Sequence, residues 1–222
     1  MEEAGENDLI LYNLDHSPYA TRVRILAYHK SLPLDVEPPP VPLRTDEFRE
    51  RFPIAKIPVL QLDDGTEIGD SWAIMEYLEA CNPEPALVPG DALARAEMNQ
   101  LARCSDTCFG PGGLFPLFKR LGAPGGLEDA DADLAAMRDE MARLERLLAA
   151  LPAGAERGLS LADIALAPSM GYWLALAPKF GEEDPLGAYP AVRDWWEWVS
   201  GESAVARGLE EMRTAAAAFL GG

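Results

Sequence analysis

Between Leu9 and Lys30 the hydrophobic period changes. A short apolar run, L-I-L-Y, passes through a polar turn and continues with Val23, Leu26 and Ala27, with Ile25 and Tyr28 beside them, at helical spacing. Ser17-Pro18 marks the join, because serine is a preferred N-cap and proline a preferred first helical residue. A strand feeding a helix in this way is a common place to hold an anion. The free backbone N–H groups and the positive end of the helix dipole both point at that spot. The same serine can equally serve as a cap alone.

The pattern then predicts, in order, an extended stretch over Leu32–Glu37, a stiff connector at P-P-P-V-P and a brief helix over Thr45–Phe52. A strand over Val59–Leu62 follows, then a hairpin turn at Asp64-Gly65 and a returning strand over Thr66–Ile68. Asp70 and Ser71 can cap a helix to about Cys81, with Trp72, Met75 and Leu78, or Ile74, Tyr77 and Leu78, on its buried side. These elements predict an α/β domain with a four-stranded mixed sheet over residues 1–81. The proline- and glycine-rich stretch 82–91 is the expected linker, and 92–222 the expected all-helical domain.

Within the second half the spacing predicts one helix over Asp91–Cys108, continuing irregularly past the G-P-G-G at Gly110–Gly113 into Leu114–Leu121. A long helix is expected over Leu127–Leu151. Ser160 with Asp163 reads as a capping box, Leu159 and Ile164 as its hydrophobic staple, and Pro168 predicts a bend. Trp195, Trp196 and Trp198 belong to a helix after Tyr189-Pro190, and a last helix starts after Ser203.

Charge narrows the partners. With 37 acidic and 19 basic side chains the chain carries −18, which repels phosphate backbones and anionic lipid, so neither nucleic acid nor membrane is expected. No apolar run approaches the ~20 residues of a membrane helix. The acidic start M-E-E-A-G-E-N-D lacks the basic and apolar regions of a signal peptide, which predicts a cytoplasmic protein. Three cysteines are too few for a disulfide scaffold. Cys104 and Cys108 would share a helix face, but the only histidines are His16 and His29, so no metal is expected and the thiols read as buried or half-buried.

Three segments, in order, carry a family resemblance: S-P-Y-A-T-R-V-R after the first strand, K-I-P-V-L through D-S-W-A-I at the end of the first domain, and L-S-L-A-D-I-A-L-A-P in the helical half. Together the chain resembles the soluble, cytosolic-type glutathione S-transferases over nearly its whole length, with Ser17 at the catalytic position of the serine-type classes. The D-S-W element is similar to the bacterial β-etherase and fungal serine-type branch. The resemblance implies a glutathione transferase fold: a thioredoxin-like domain that binds glutathione, and a helical domain that supplies most of the pocket for a small hydrophobic electrophile. It also implies a homodimer and a role in detoxification.

The site residues follow from that resemblance. Pro58 matches the family's cis-proline, which would turn the N–H and C=O of Ile57 towards the cysteinyl part of glutathione. Asp70 and Ser71 match the pair that holds the γ-glutamyl end. Lys56 matches a position that often contacts the glycine end, and Arg44 is placed by position as a second candidate for that carboxylate. The Ser17 hydroxyl would donate to the glutathione sulfur and favour thiolate, aided by the helix N-terminus. Tyr19 is a backup donor that can instead line the pocket, and Tyr12 reads as a sheet-face residue.

The chain departs from the family pattern N-P-x-G-K-V-P, having Phe52 for the asparagine and Ala55 for the glycine. The activity implied is attack of the glutathione thiolate on an electrophile. The alternatives are a glutathione-binding regulatory protein without catalysis and a zeta-type glutathione-dependent isomerase. A glutaredoxin-like oxidoreductase is disfavoured because position 17 is not cysteine and no C-x-x-C occurs.

Overall fold

In the computed structural model residues 9–121, 123 and 126–220 are described; the acidic octapeptide read above lies outside the described residues. In chain order the elements are β1 (Ile10–Tyr12), α1 (Pro18–Lys30), β2 (Asp35–Glu37), α2 (Asp46–Arg51), β3 (Val59–Gln61), β4 (Glu67–Gly69) and α3 (Ser71–Cys81). Then come α4 (Ala92–Cys104), a π-helical segment (Ser105–Leu114), α5 (Phe115–Arg120), α6 (Asp131–Ala149) and α7 (Gly154–Arg157). The chain ends with α8 (Leu161–Leu176), a 3-10 turn (Ala177–Phe180), α9 (Pro190–Val199) and α10 (Ser203–Leu220).

The chain forms two compact units, one from the residues up to Ala86 together with those from Ser203, the other from Leu87 to Glu202. In the first, the four strands lie in the order β2-β1-β3-β4; β1 and β2 are parallel, and β3 is antiparallel to both β1 and β4. Leu11 and Leu60 face each other across the central pair and are fully buried. Val23, Ile25 and Leu26 of α1 and Ile74, Met75 and Leu78 of α3 complete that core. Each such side chain contributes ~1.5–3 kcal/mol on leaving water.

The final helix groups with this unit, whereas the expected division placed it in the second domain. Gly208 is the reason at atomic scale: a Cβ there would collide with Ile25 of α1. Glu211 then accepts from Arg24 Nη1 at 3.2 Å and from the Tyr28 hydroxyl at 2.7 Å, and Arg207 stacks 3.7 Å from the Tyr28 ring centroid. Burial and the Glu211 carboxylate together push the Tyr28 hydroxyl pKa up. At the other end of α1, Lys30 Nζ is enclosed by Asn82 O at 2.6 Å, Glu79 Oε2 at 2.7 Å and Pro85 O at 2.8 Å.

The second unit is helical in all its regular elements. The helix starting at Asp91 stops being α-helical at Cys104, not Cys108. Pro111 has no N–H to return to the preceding turn, and the glycines around it tolerate the wider π-helical winding, so the segment stays helical without an α-helical ladder. The long helix is also shorter than its apolar spacing predicts, running Asp131–Ala149 with acidic residues in its first turn. Burial pushes the Cys104 thiol up to about 12. Among the described residues no helix is long and apolar enough to cross a membrane.

Asp163 organises this unit. Its side chain is fully buried and accepts from the Ser160 amide (2.9 Å), the Ser160 hydroxyl (2.6 Å), both Arg157 Nη atoms (2.6 Å each) and Trp195 Nε1 (2.8 Å). The aspartate of the capping box thereby ties the start of α8 to α7 and α9. Glu145 of α6 caps α9 in turn, accepting from Ala191 N at 3.1 Å and Val192 N at 3.0 Å. Removing one partner of a buried, fully bonded ion costs ~3–5 kcal/mol. Asp163→Ala is therefore expected to lower unfolding stability by about that amount in urea titration, and Trp195→Phe by about 1 kcal/mol. A loss below about 1 kcal/mol for Asp163→Ala contradicts this assignment.

Candidate functional site

Strand register decides where the candidate residues meet. Tyr12 pairs with Val59, and Val59 with Gly69, so the C-terminal end of β1, the N-terminal end of β3 and the C-terminal end of β4 coincide. The parallel partner β2 ends there too: Tyr12 pairs with Glu37, and Asn13 N donates to Glu37 O at 2.8 Å. Beyond this edge lie the turn to Ser17, the Ile57-Pro58 pair and the Asp70-Ser71 pair. The N-termini of α1 and α3 therefore open at one end of the sheet, and their orphan N–H groups and dipoles favour negative charge there.

Ser17 occupies the N-cap of α1 with extended backbone, Pro18 behind it as first helical residue; its Oγ accepts from Ala20 N at 3.3 Å. The bond is long, so the hydroxyl is weakly engaged as acceptor and its proton is not used by it. The turn before it is clamped from below. Arg24 Nη2 donates to Asp15 O and to Thr21 Oγ1, both at 2.8 Å, and Thr21 Oγ1 donates to Ser17 O at 2.8 Å. Burial lowers the pKa of neighbouring His16, with Asp15 opposing.

Tyr19 and Ser71 are linked through Arg22, a residue without solvent exposure. Its guanidinium lies 4.4 Å from the Tyr19 ring centroid and reaches Ser71 Oγ at 3.5 Å. Asp70 caps α3, its Oδ1 accepting from Trp72 N at 3.0 Å and Ala73 N at 3.1 Å, which leaves Oδ2 outside the cap. The Ile57–Pro58 bond is cis, as the family resemblance implies. Among the described residues no hydrogen bond uses the Ile57 N–H or C=O. Lys56 and Arg44 are exposed and, among the described residues, have no ion-pair partner, in a chain that carries −18.

The departures from the family pattern have a local account. Phe52 is buried with Phe48, Tyr12 and Val59, and Leu43, Val41 and Ile57 pack against that cluster. The excursion from β2 to β3 is thus held against the sheet by aromatic packing, and Arg51 adds a bond from its Nε to Glu67 Oε1 at 3.0 Å. Tyr12 donates its hydroxyl to Gln61 at 2.6 Å, a sheet-face role. Ala55 has φ 54°, a left-handed conformation at the position where the family pattern has glycine. Arg44 (66°) and Asp70 (75°) are also at positive φ. Among the described residues, three of the four non-glycine residues so held are thus candidate ligand contacts or, as Ala55 is to Lys56, next to one, where stored backbone strain is commonly found.

Sequence reasoning quoted T-R-V-R within a motif yet gave neither arginine a role. The available signal was two guanidinium groups on the helix whose apolar face had to be buried. Asn13 was also missed: only 4% exposed, it donates from Nδ2 to Asp15 Oδ1 at 2.7 Å, while its Oδ1 is buried at the sheet end without a bonding partner.

Comparison with known proteins came to the same region. Residues 11–86 match the family described as glutathione S-transferase, N-terminal domain. Maleylacetoacetate isomerase of Rattus norvegicus is 30% identical over 192 residues, 82% of this chain and 83% of that protein. Probable maleylacetoacetate isomerase 1 of Drosophila melanogaster is 37% identical over 98 residues, and there the match spans only 41% of this chain and 39% of the relative. A crystal structure of a glutathione S-transferase from Methylobacillus flagellatus, with GSH bound, superposes with a TM-score of 0.73 at 25% identity, covering 90% of this chain and 98% of that one.

Left-handed backbone costs an alanine ~1–2 kcal/mol, against ~0.5–1 kcal/mol of extra chain entropy for glycine. Ala55→Gly is therefore expected to stabilise the protein by about 0.5–1 kcal/mol in equilibrium unfolding. Destabilisation by that substitution would show that Ala55 is not held at positive φ.

Proposed function

We propose that this chain, which belongs to the glutathione S-transferase family, binds glutathione at the sheet end where α1 and α3 begin and presents its sulfur, as thiolate, to a small hydrophobic electrophile. The observation that carries the reading is the convergence, set by strand register, of two helix N-termini with the unpaired backbone of Ile57. In this reading Ser71 and Asp70 hold the γ-glutamyl end, Ile57 pairs with the cysteinyl backbone beside Pro58, and Lys56 with Arg44 faces the glycine carboxylate. Tyr19, braced by Arg22, lines the sulfur side. The protein acts as a cytoplasmic homodimer.

Ser17 is the catalytic residue in this proposal. Its hydroxyl donates to the sulfur, and the thiol proton leaves to solvent. The thiolate then forms the new S–C bond while the leaving group departs with the electron pair of the bond it breaks. Each pKa unit of thiolate stabilisation is worth ~1.4 kcal/mol, so one donor plus a helix dipole amounts to about one to two units.

A second reading is favoured by the relatives named maleylacetoacetate isomerase. There the same thiolate adds to a conjugated cis double bond, rotation follows about the resulting single bond, and the thiolate is expelled with no net change in composition. Both readings use the same glutathione site and differ in the electrophile.

Isothermal titration is expected to show glutathione binding at or below millimolar concentration, and absence of binding there contradicts both readings. Ser17→Ala is expected to keep binding within a few-fold and to lower kcat/KM by ~10–100-fold with chlorodinitrobenzene or maleylacetoacetate, whichever is turned over. Unchanged turnover in Ser17→Ala removes the serine from the chemistry. Turnover of maleylacetoacetate alone selects the isomerase.

A further inference from the structure

A second cluster of reactive side chains, used by nothing assigned above, lies in the helical unit. Cys104 ends α4, Cys108 follows one turn later in the π-helical segment, and Glu140 projects from α6. The two Sγ atoms and a Glu140 carboxylate oxygen all lie within 4.8 Å of one another. Chain chemistry built this approach. A Cβ on Gly112 would stand 3.3 Å from Glu140 Oε1, and one on Gly113 would collide with Met137 of the same helix. The G-P-G-G sequence therefore removes the side chains that would hold α6, and Glu140 with it, away from the thiols.

We propose that Cys104, Cys108 and Glu140 form a site for a thiophilic divalent cation of the zinc–cadmium class. Two sulfurs select a soft ion over magnesium or calcium, and a carboxylate is a common third ligand. With bonds of ~2.3 Å to sulfur and ~2.1 Å to oxygen, tetrahedral ligand atoms stand about 3.6 Å apart. The trio must tighten by up to about 1.2 Å, within reach of rotations of the half-buried Cys108 and Glu140 side chains. Binding releases the two thiol protons to solvent and needs no oxidant.

The charges also close. Two thiolates and one carboxylate meet one dication, and the remaining negative charge is met by Arg143, whose Nε donates to Glu140 Oε2 at 2.9 Å. That bond orients the carboxylate and leaves its other oxygen for the ion. Three protein ligands leave a fourth position for water. Reading the sequence for histidines near the thiols could not find this site, because its third ligand comes from a helix some thirty residues further along the chain.

The test uses the reduced, chelator-treated full chain. Titration with Co2+ is expected to give a thiolate-to-cobalt charge-transfer band that saturates at one ion per chain and is displaced by Zn2+. Cys108→Ser and Glu140→Gln are each expected to weaken Zn2+ binding ~10-fold or more, while Cys81→Ser, at an exposed thiol outside the cluster, leaves it unchanged. Zn2+ is also expected to raise the Tm of the unmutated protein, a readout that does not depend on any variant folding. No charge-transfer band, a band that survives Cys108→Ser or disappears in Cys81→Ser, or no rise in Tm would each overturn the proposal.

Discussion

Strand register is the constraint on which the rest of the first unit depends. The strands are three residues each, so the ladder is short, and a slip of one residue would turn Leu11 and Leu60 out of the core and carry every loop at the sheet end to a new height. What pins it is the burial of those two leucines, the Tyr12–Gln61 bond and the aromatic cluster of Tyr12, Phe48 and Phe52. Once Tyr12, Val59 and Gly69 are level, the starts of α1 and α3 have no choice but to open side by side. The meeting of two helix N-termini at this sheet end is thus a consequence of core packing some residues away from it.

Buried charges do the second part of the work. Arg22, Arg24, Lys30 and Asp163 are all nearly inaccessible, and a buried ion left without partners would cost several kcal/mol. Arg24 joins the turn before Ser17 to the final helix, and Lys30 closes the chain after α3 onto α1. Asp163 draws three elements of the helical unit together. Such groups add less to net stability than apolar burial, but each specifies one geometry, because only one arrangement satisfies all its bonds.

Much of this was legible in the chain. Alternation, turn residues and caps located all four strands and the helices around them, and Ser17, Thr45, Asp70 and Asp91 each cap the helix that follows. Those signals are local, and local chemistry suffices to read them. The errors came where a distant partner decides. The placement of α10 rests on Gly208 fitting against Ile25, and the early end of α4 on how Pro111 and its glycines wind under α6. The roles of Arg22 and Arg24 likewise depend on groups far along the chain. Ala55 shows the converse: at a departure from the family pattern, the alanine keeps left-handed backbone at the position where that pattern has glycine.

The central claim is that this sheet end holds the glutathione sulfur as thiolate. Following the ultraviolet absorbance of thiolate against pH, in glutathione bound to the protein and in free glutathione, tests it most directly. The account predicts a bound thiol that ionises about one to two units below the free one. A bound thiol that titrates at or above the free value would contradict it.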